Sequence, residues 1–526
     1  MKKGILSIIA AGALTAGLLT ACSTPAVSPD AATAGGTATT AAGSSEGAAA
    51  QTGAHADALK IAFTSEPPQI STCDHDSLIS VGINMLTFNG LTRIDNESLL
   101  PEMDLAESYT VENDVDWIFK LKQGVKFHNG ADFTAEDVVA TIAYAKTFAG
   151  SSNYTKNIAS VEAVDDYTVK ITTTQPYAGL LYDLGYHYNW ILDKDLIDEG
   201  HDFNADPIGT GPYKFVDWKK GESLNFTRFD DYFDKDRAPK IKDLTFTIIP
   251  EGASRTIALE SGEVDFVWEV NGADAATIEA DDSLYLHKVD TVDNVILFFN
   301  NDREPYNDAN FRHAINCAIN RDDIISGALN GYGLVNYSSL AQGLEGWSDE
   351  GADQYDLAKA KEYLAAWGGD PSSVTMKILV SNEVRATIGT IIQANLSELG
   401  INAEVEQLDV AAYFDEQKTG NFDTYIASWS PSNSLTYVQR FDSARRESNP
   451  GAFGSPETDA MIEEAAKTLD DDARYALIKD IVTTVNEQCP QVSLYQTQWL
   501  RAYNKDLQGV VLSGTGYTDW NMMYWK

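Results

Sequence analysis

Seven histidines stand at positions 55, 75, 128, 187, 201, 287 and 313, without the spacing of a metal-ligand set. Asp74-His75-Asp76 is the one compact trio of ligand-like side chains, and a solvated loop is the commoner use of such a trio. The Gly-x-Ser-x-Gly spacing occurs once, at Gly43-Ser44-Ser45-Glu46-Gly47, inside an Ala, Gly and Ser stretch with no strand-to-helix pattern to make it a nucleophile's turn, and there is no His-Glu-x-x-His pair and no Walker-type phosphate loop. Gly209-Thr210-Gly211 runs into Pro212-Tyr213-Lys214-Phe215, a strand pattern, so it lacks the strand-to-helix turn that cradles a dinucleotide. Among 78 acidic residues, accidental carboxylate pairs are expected, and none marks itself as an acid–base couple. The chemistry on offer is recognition. Trp268 and Trp429 present flat faces for stacking, with core packing as their competing use. Arg385 falls in the first turn of a helix pattern, where its guanidinium fork and the helix N–H groups suit a ligand carboxylate. Its other use is a surface pair with Glu383 or a neighbour.

The elements that must position these residues are clearest between 374 and 429. Val374, Met376, Ile378 and Val380 alternate as a strand. Ile388, Ile391, Ile392, Leu396 and Leu399 recur at spacings of three and four, an amphipathic helix that Gly400 can end. Ile401, Ala403 and Val405 alternate again, a helix from about Val410 follows, and a strand runs from Phe422 to Trp429. This order predicts a parallel sheet with helices across it, and ligands in such sheets bind beyond the strands' carboxyl ends. Two cleft edges are thereby nominated, Ser381-Asn382-Glu383 and Ser430-Pro431-Ser432. Elsewhere, Leu59–Phe63 reads as a strand entering the loop Ser65-Glu66-Pro67-Pro68. Trp117–Phe127 and Tyr213–Arg228 read as hairpins, and Thr134 as the cap of a helix whose first turn holds Glu136 and Asp137. Tyr186, Tyr188 and Trp190 are expected to be core.

The chain has 526 residues, more than one ordinary core accommodates, so two or more lobes are expected. Apolar residues make up 44% and aromatics 10%, enough for large cores and a lined pocket. A net charge of −40 repels phosphate backbones and argues against nucleic acid as a partner. Lys2 and Lys3 precede an uncharged run from Gly4 to Ala21, an export signal too short and too rich in Ala and Gly to span a membrane. It ends in Leu19-Thr20-Ala21-Cys22, which resembles the bacterial lipobox. That resemblance implies cleavage after residue 21, acylation of Cys22 and a lipid-held protein at the outer face of the cytoplasmic membrane. Residues 23–57 are nearly all Ala, Thr, Gly, Ser and Pro, a tether with an end-to-end distance of roughly 30 Å. Cys73, Cys317 and Cys489 fit no metal motif and are expected as small buried thiols.

Five segments in order then resemble the solute-binding proteins of peptide and nickel ABC importers, the oligopeptide- and dipeptide-binding class. They are Trp117–Gly130 with Thr134–Val138, Pro207–Tyr213, Leu259–Asp265, Asn310–Arg321 and Asn421–Trp429. The resemblance implies an α/β, two-lobed periplasmic-binding-protein-like (Venus-flytrap) fold with an extra subdomain inserted in the first lobe. It places lobe I at 58–78, 205–298 and 496–526, the inserted subdomain at 79–204 and lobe II at 299–495. It implies a monomer that captures a short peptide between its lobes and hands it to a permease and ATPase complex, with no catalysis and no cofactor. Oligosaccharides and nickel chelates are the alternative cargoes, and an extracellular hydrolase is the alternative of another class. The site residues it implies are Glu66 and Pro68, then Trp268, Glu269 and Asn271, and finally Trp429 and Ser432, and the sheet and helix pattern adds Asn382, Arg385 and Ser430. Peptide binders of the class often carry an Asp three residues after the tryptophan equivalent to Trp429, where it pairs with the peptide's ammonium. Here that position is Ser432, and Glu269 is the expected substitute anion.

Overall fold

The computed structural model describes residues 57–526 apart from 74, 76, 432 and 448–450, and Cys22 with its leader and tether lies outside the described residues. A single large sheet organises those residues. Its strands in chain order are β1 (Ala58–Phe63), β2 (Tyr213–Lys219), β3 (Ser223–Arg228), β4 (Asp243–Ile248), β5 (Phe266–Val267), β6 (Leu284–Phe299), β7 (Thr375–Val380), β8 (Asn402–Gln407), β9 (Thr424–Trp429) and β10 (Gln491–Asn504). In space they run β8-β7-β9-β6-β10-β5-β1-β4-β3-β2, and a short strand at Gly333–Val335 adds to β10.

Two halves share this sheet. In one, β1 lies parallel between β4 and β5, and the hairpin β2–β3 extends the edge. In the other, β7 lies parallel between β8 and β9, with α1 (Glu383–Ser397) and α2 (Val410–Thr419) as the crossovers. This is the strand–helix alternation expected from residues 374–429. It forms because Met376, Ile378 and Val380 bury on one side while Ile388, Ile392 and Leu396 bury on the facing side of α1. Gly389 lets α1 approach closely, since a Cβ there would meet Val405 of β8 at 3.0 Å. Each half has its own core, one around Phe63, Phe246 and Trp520, the other around Ile315, Ile378 and Ile392.

A separate four-stranded antiparallel sheet, Ala106–Glu112, Asp116–Leu121, Thr168–Thr173 and Ile158–Asp165 in that spatial order, has its own core of Trp117, Phe119, Phe127 and Val138. Here the sequence reading needs one correction. Trp117–Phe127 is not a hairpin, because Asp116–Leu121 is a single strand that turns back on the preceding Ala106–Glu112 and pairs on its other side with Thr168–Thr173, not with the residues that follow it. Lys126 instead bridges Asp132 across a loop. The helix that follows, Ala135–Ala145, carries a capping box in which the Thr134 N–H donates to Asp137 Oδ2 at 2.8 Å. Tyr188 and Trp190 are buried, and Tyr186 stacks on Tyr154 with centroids 4.2 Å apart. Cys73, Cys317 and Cys489 are buried.

Candidate functional site

The location of the site follows from register. β6 and β10, 16 and 14 residues long, are the strands that both halves share. Their pairing runs from Leu284 opposite Asn504 to Asp290 opposite Gln498, breaks, and resumes with Asn294 opposite Gln496. The residues at the break, Thr291 to Asp293, form a bulge, and Thr291 pins it by donating to the Thr497 carbonyl at 2.8 Å. β9 runs antiparallel to β6 and ends with Trp429 opposite Asn294. β5 runs antiparallel to β10, hence parallel to β6, and its carboxyl end points toward the same break from the other side. The carboxyl ends of the two parallel sets therefore converge on one bulge, the position where open α/β sheets bind ligands.

On the first half's side, the segments after β1 and β5 hold the expected residues Glu66, Pro68, Trp268, Glu269 and Asn271. Three of these do something other than face a ligand. Glu66 Oε1 accepts from the backbone N–H of Gly221 and from Trp218 Nε1, so the carboxylate ties its loop to the turn of the β2–β3 hairpin. Trp268 corrects the expectation of a stacking platform. Its ring is 4% exposed, packed against Phe63 and Trp520, with the Arg501 guanidinium 4.4 Å over its centroid. Asn271 lays its carboxamide against Gly252 at the start of a helix, where any Cβ would collide with it. Pro68 and Glu269 are exposed. Burial pushes the Arg501 guanidinium down to about 9, opposed by the charge of Glu269.

On the second half's side, Asn382 caps α1 by accepting from the Arg385 N–H at 2.9 Å, which is what fixes Arg385 in the first turn. The Arg385 guanidinium donates to Ser381 Oγ at 3.0 Å and Ser428 Oγ at 3.3 Å. A guanidinium carries five N–H groups, and the remaining ones of this half-buried side chain have no acceptor among the described residues. Trp429 is half-buried, with its Nε1 unpartnered among the described residues, and Arg440 lies 5.2 Å over its ring. Beside it opens a cavity of about 550 Å³ lined by Tyr154, Asp183, Trp429, Thr436, Gln439 and Asp442. That volume is within the range of small-ligand sites. Ser430 is exposed, and Ser432 lies outside the described residues.

Sequence reasoning missed one residue here. Asp293, in the bulge of β6, accepts a hydrogen bond from Thr497 Oγ1 at 3.2 Å and another from Ser428. Burial holds its carboxyl above the usual carboxylate range, against those two hydrogen bonds and the charge of Arg385. The signal available in the sequence was a pair of polar residues, Asp293-Asn294, at the mouth of the apolar run Val295–Phe299. Among the described residues there is no group of three or more His, Cys, Asp or Glu side chains able to hold a metal ion.

Residues 101–449, about two thirds of the chain, match the model of the bacterial extracellular solute-binding proteins, family 5. The chain belongs to this family. Relatives of this solute-binding protein include the glutathione-binding protein GsiB of Salmonella paratyphi A, 26% identical over 471 residues, covering 85% of this chain and 90% of that one. The oligopeptide-binding protein AppA of Bacillus subtilis is 28% identical over 490 residues, covering 86% and 88%. Among solved structures, HbpA2 of Haemophilus parasuis superimposes with a TM-score of 0.82 at 22% identity, over 89% of this chain and all of that one. The family has the two-lobed α/β architecture, and the shared β6–β10 pair is what joins the lobes of this member.

Proposed function

We propose that this solute-binding protein captures a short peptide between its two halves and delivers it to a membrane permease driven by an ATPase. In this reading, acylated Cys22 holds the protein at the outer face of the cytoplasmic membrane, and it works as a monomer without catalysing a reaction. The observation that carries the proposal is the convergence of two sets of strand carboxyl ends on the register break, with a cavity of about 550 Å³ beside Trp429. Relatives over most of the chain that are named for glutathione and oligopeptides support a peptide as the cargo. Within the site, the free N–H groups of Arg385 at the amino end of α1 are suited to the peptide's carboxylate. Trp429 and the cavity beside it are suited to a side chain. The division into lobe I at 58–78, 205–298 and 496–526, a subdomain at 79–204 and lobe II at 299–495 belongs to this proposal.

The test is to purify the protein gently, denature it and identify what it releases by mass spectrometry. A peptide, or a set of peptides of narrow length, is expected. The same peptide added back in excess should raise the melting temperature, because binding to the folded state alone adds about 2.7 kcal/mol at a hundred times Kd. Release of a sugar or a metal chelate, or consumption of the added peptide, would replace the proposal with another function.

A further inference from the structure

We infer that Asp293 supplies the counter-charge for the ligand's ammonium group. This rests on the peptide reading and names the acidic partner that Ser432, which has no carboxylate, does not provide. Four observations lead to it. Asp293 stands in the bulge where the two halves' strand ends converge, one residue before the Asn294–Trp429 pair, so it is at the floor of the candidate cleft. Its oxygens take hydrogen bonds from two hydroxyls, Thr497 and Ser428, which leave lone pairs for a further donor. No lysine, arginine or histidine among the described residues is in direct ion-pair contact with it, and it is half-buried, not closed off. A carboxylate so placed costs free energy until a cation arrives, which makes the site selective for one.

The groups packed around Asp293 agree. From β6 itself comes Asp290, engaged by Gln498 Nε2 at 2.7 Å. From β10 comes Tyr495, and from the helix Ser434–Val438 comes Tyr437, both phenols raised by burial and therefore neutral. From β9 comes Ser428, and from α1 comes Arg385, whose charge helps keep Asp293 ionised. Ser428 bonds to both Asp293 and Arg385, so an acid and a base stand side by side at the cleft floor. Glu269, the rival anion, is exposed to solvent, and its charge acts on the buried Arg501.

The experiment offers the full chain an equal mixture of random tri- to hexapeptides and the same peptides N-acetylated, and reads the captured fraction by mass spectrometry. The unaltered protein should retain free-amine peptides at least tenfold over acetylated ones. Asp293→Asn should bring that ratio close to one while leaving the unliganded melting temperature no lower, and Glu269→Gln should leave the preference intact. Equal capture of the two pools by the unaltered protein, or a preference that survives Asp293→Asn, overturns the inference while leaving the peptide reading standing. Loss of the preference in Glu269→Gln alone assigns the ammonium to Glu269 and overturns it as well. Capture of neither pool removes the peptide reading, and the inference with it.

Discussion

At the scale of single residues, the carboxyl of Asp293 is held between two opposing influences, burial that favours its neutral form and the charge of Arg385 that favours the ionised one. The place of Arg385 in the first turn of α1 was legible because a helix pattern and its cap set it locally, three residues after Asn382. Trp268 was misread because nothing in its neighbours' identities says which side of a sheet its ring will take. The structure puts it in the core under Arg501. Asp293 was illegible as one of 78 acids, since its meaning comes from Ser428 and Arg385, more than ninety residues away. Its titration makes a prediction with a definite sign. In the unliganded protein burial raises its pKa, so a bound ammonium, which favours the ionised form, must lower it. Binding then releases a proton wherever Asp293 is partly protonated, and affinity weakens as pH falls from neutrality through the unliganded pKa. Calorimetry of one free-amine peptide across that range should show this slope in the unaltered protein and a flatter profile in Asp293→Asn. The same shift means that ionised Asp293 costs folding stability above its pKa, which is why the Asn variant is expected to melt no lower at neutral pH.

At the scale of elements, what was legible is what is local. The unit from β7 to β9 was readable because each strand alternates with period two and α1 with spacings of three and four, and because short connections force the crossovers. The capping box at Thr134 was readable for the same reason. The strand Asp116–Leu121 shows the limit, for its alternation is genuine but only its partner Ala106–Glu112 is local, joined through the turn at 113–115, while Thr168–Thr173 is chosen by tertiary packing. The cap of α1 couples stability to binding. Asn382→Ala removes the acceptor for the Arg385 N–H and should cost about 1 kcal/mol, a fall in melting temperature of about 1–2 °C. Because that cap also fixes the first turn carrying Arg385, peptide affinity should fall in the same variant. Asn382→Asp, which keeps the acceptor, should restore stability.

At the scale of the whole molecule, the decisive feature is that the two halves of the main sheet are joined through one pair of strands. To one side of β6 and β10 lie β9, β7 and β8, to the other β5, β1, β4, β3 and β2. The ladder between β6 and β10 breaks at Thr291–Asp293, where a bend costs no regular pairing. A joint of this kind lets each half move as a rigid body on its own core, because close-packed interiors do not deform continuously whereas a few residues at a break absorb the change in backbone angles. It also explains why the sequence could not disclose the hinge: the break is a relation between residues 290–294 and 496–498, two segments some two hundred positions apart, and neither carries a glycine or proline to announce it. Peptide contacts made from both halves at once should draw them together. Small-angle scattering should therefore record a smaller radius of gyration when saturating peptide is added to the protein lacking its leader and tether. A radius unchanged at saturation would mean that the halves are fixed and the ligand occupies only one of them. Thr291→Val, which removes the hydroxyl bond that pins the bulge, should widen the spread of unliganded shapes while leaving the closed, peptide-bound radius in place.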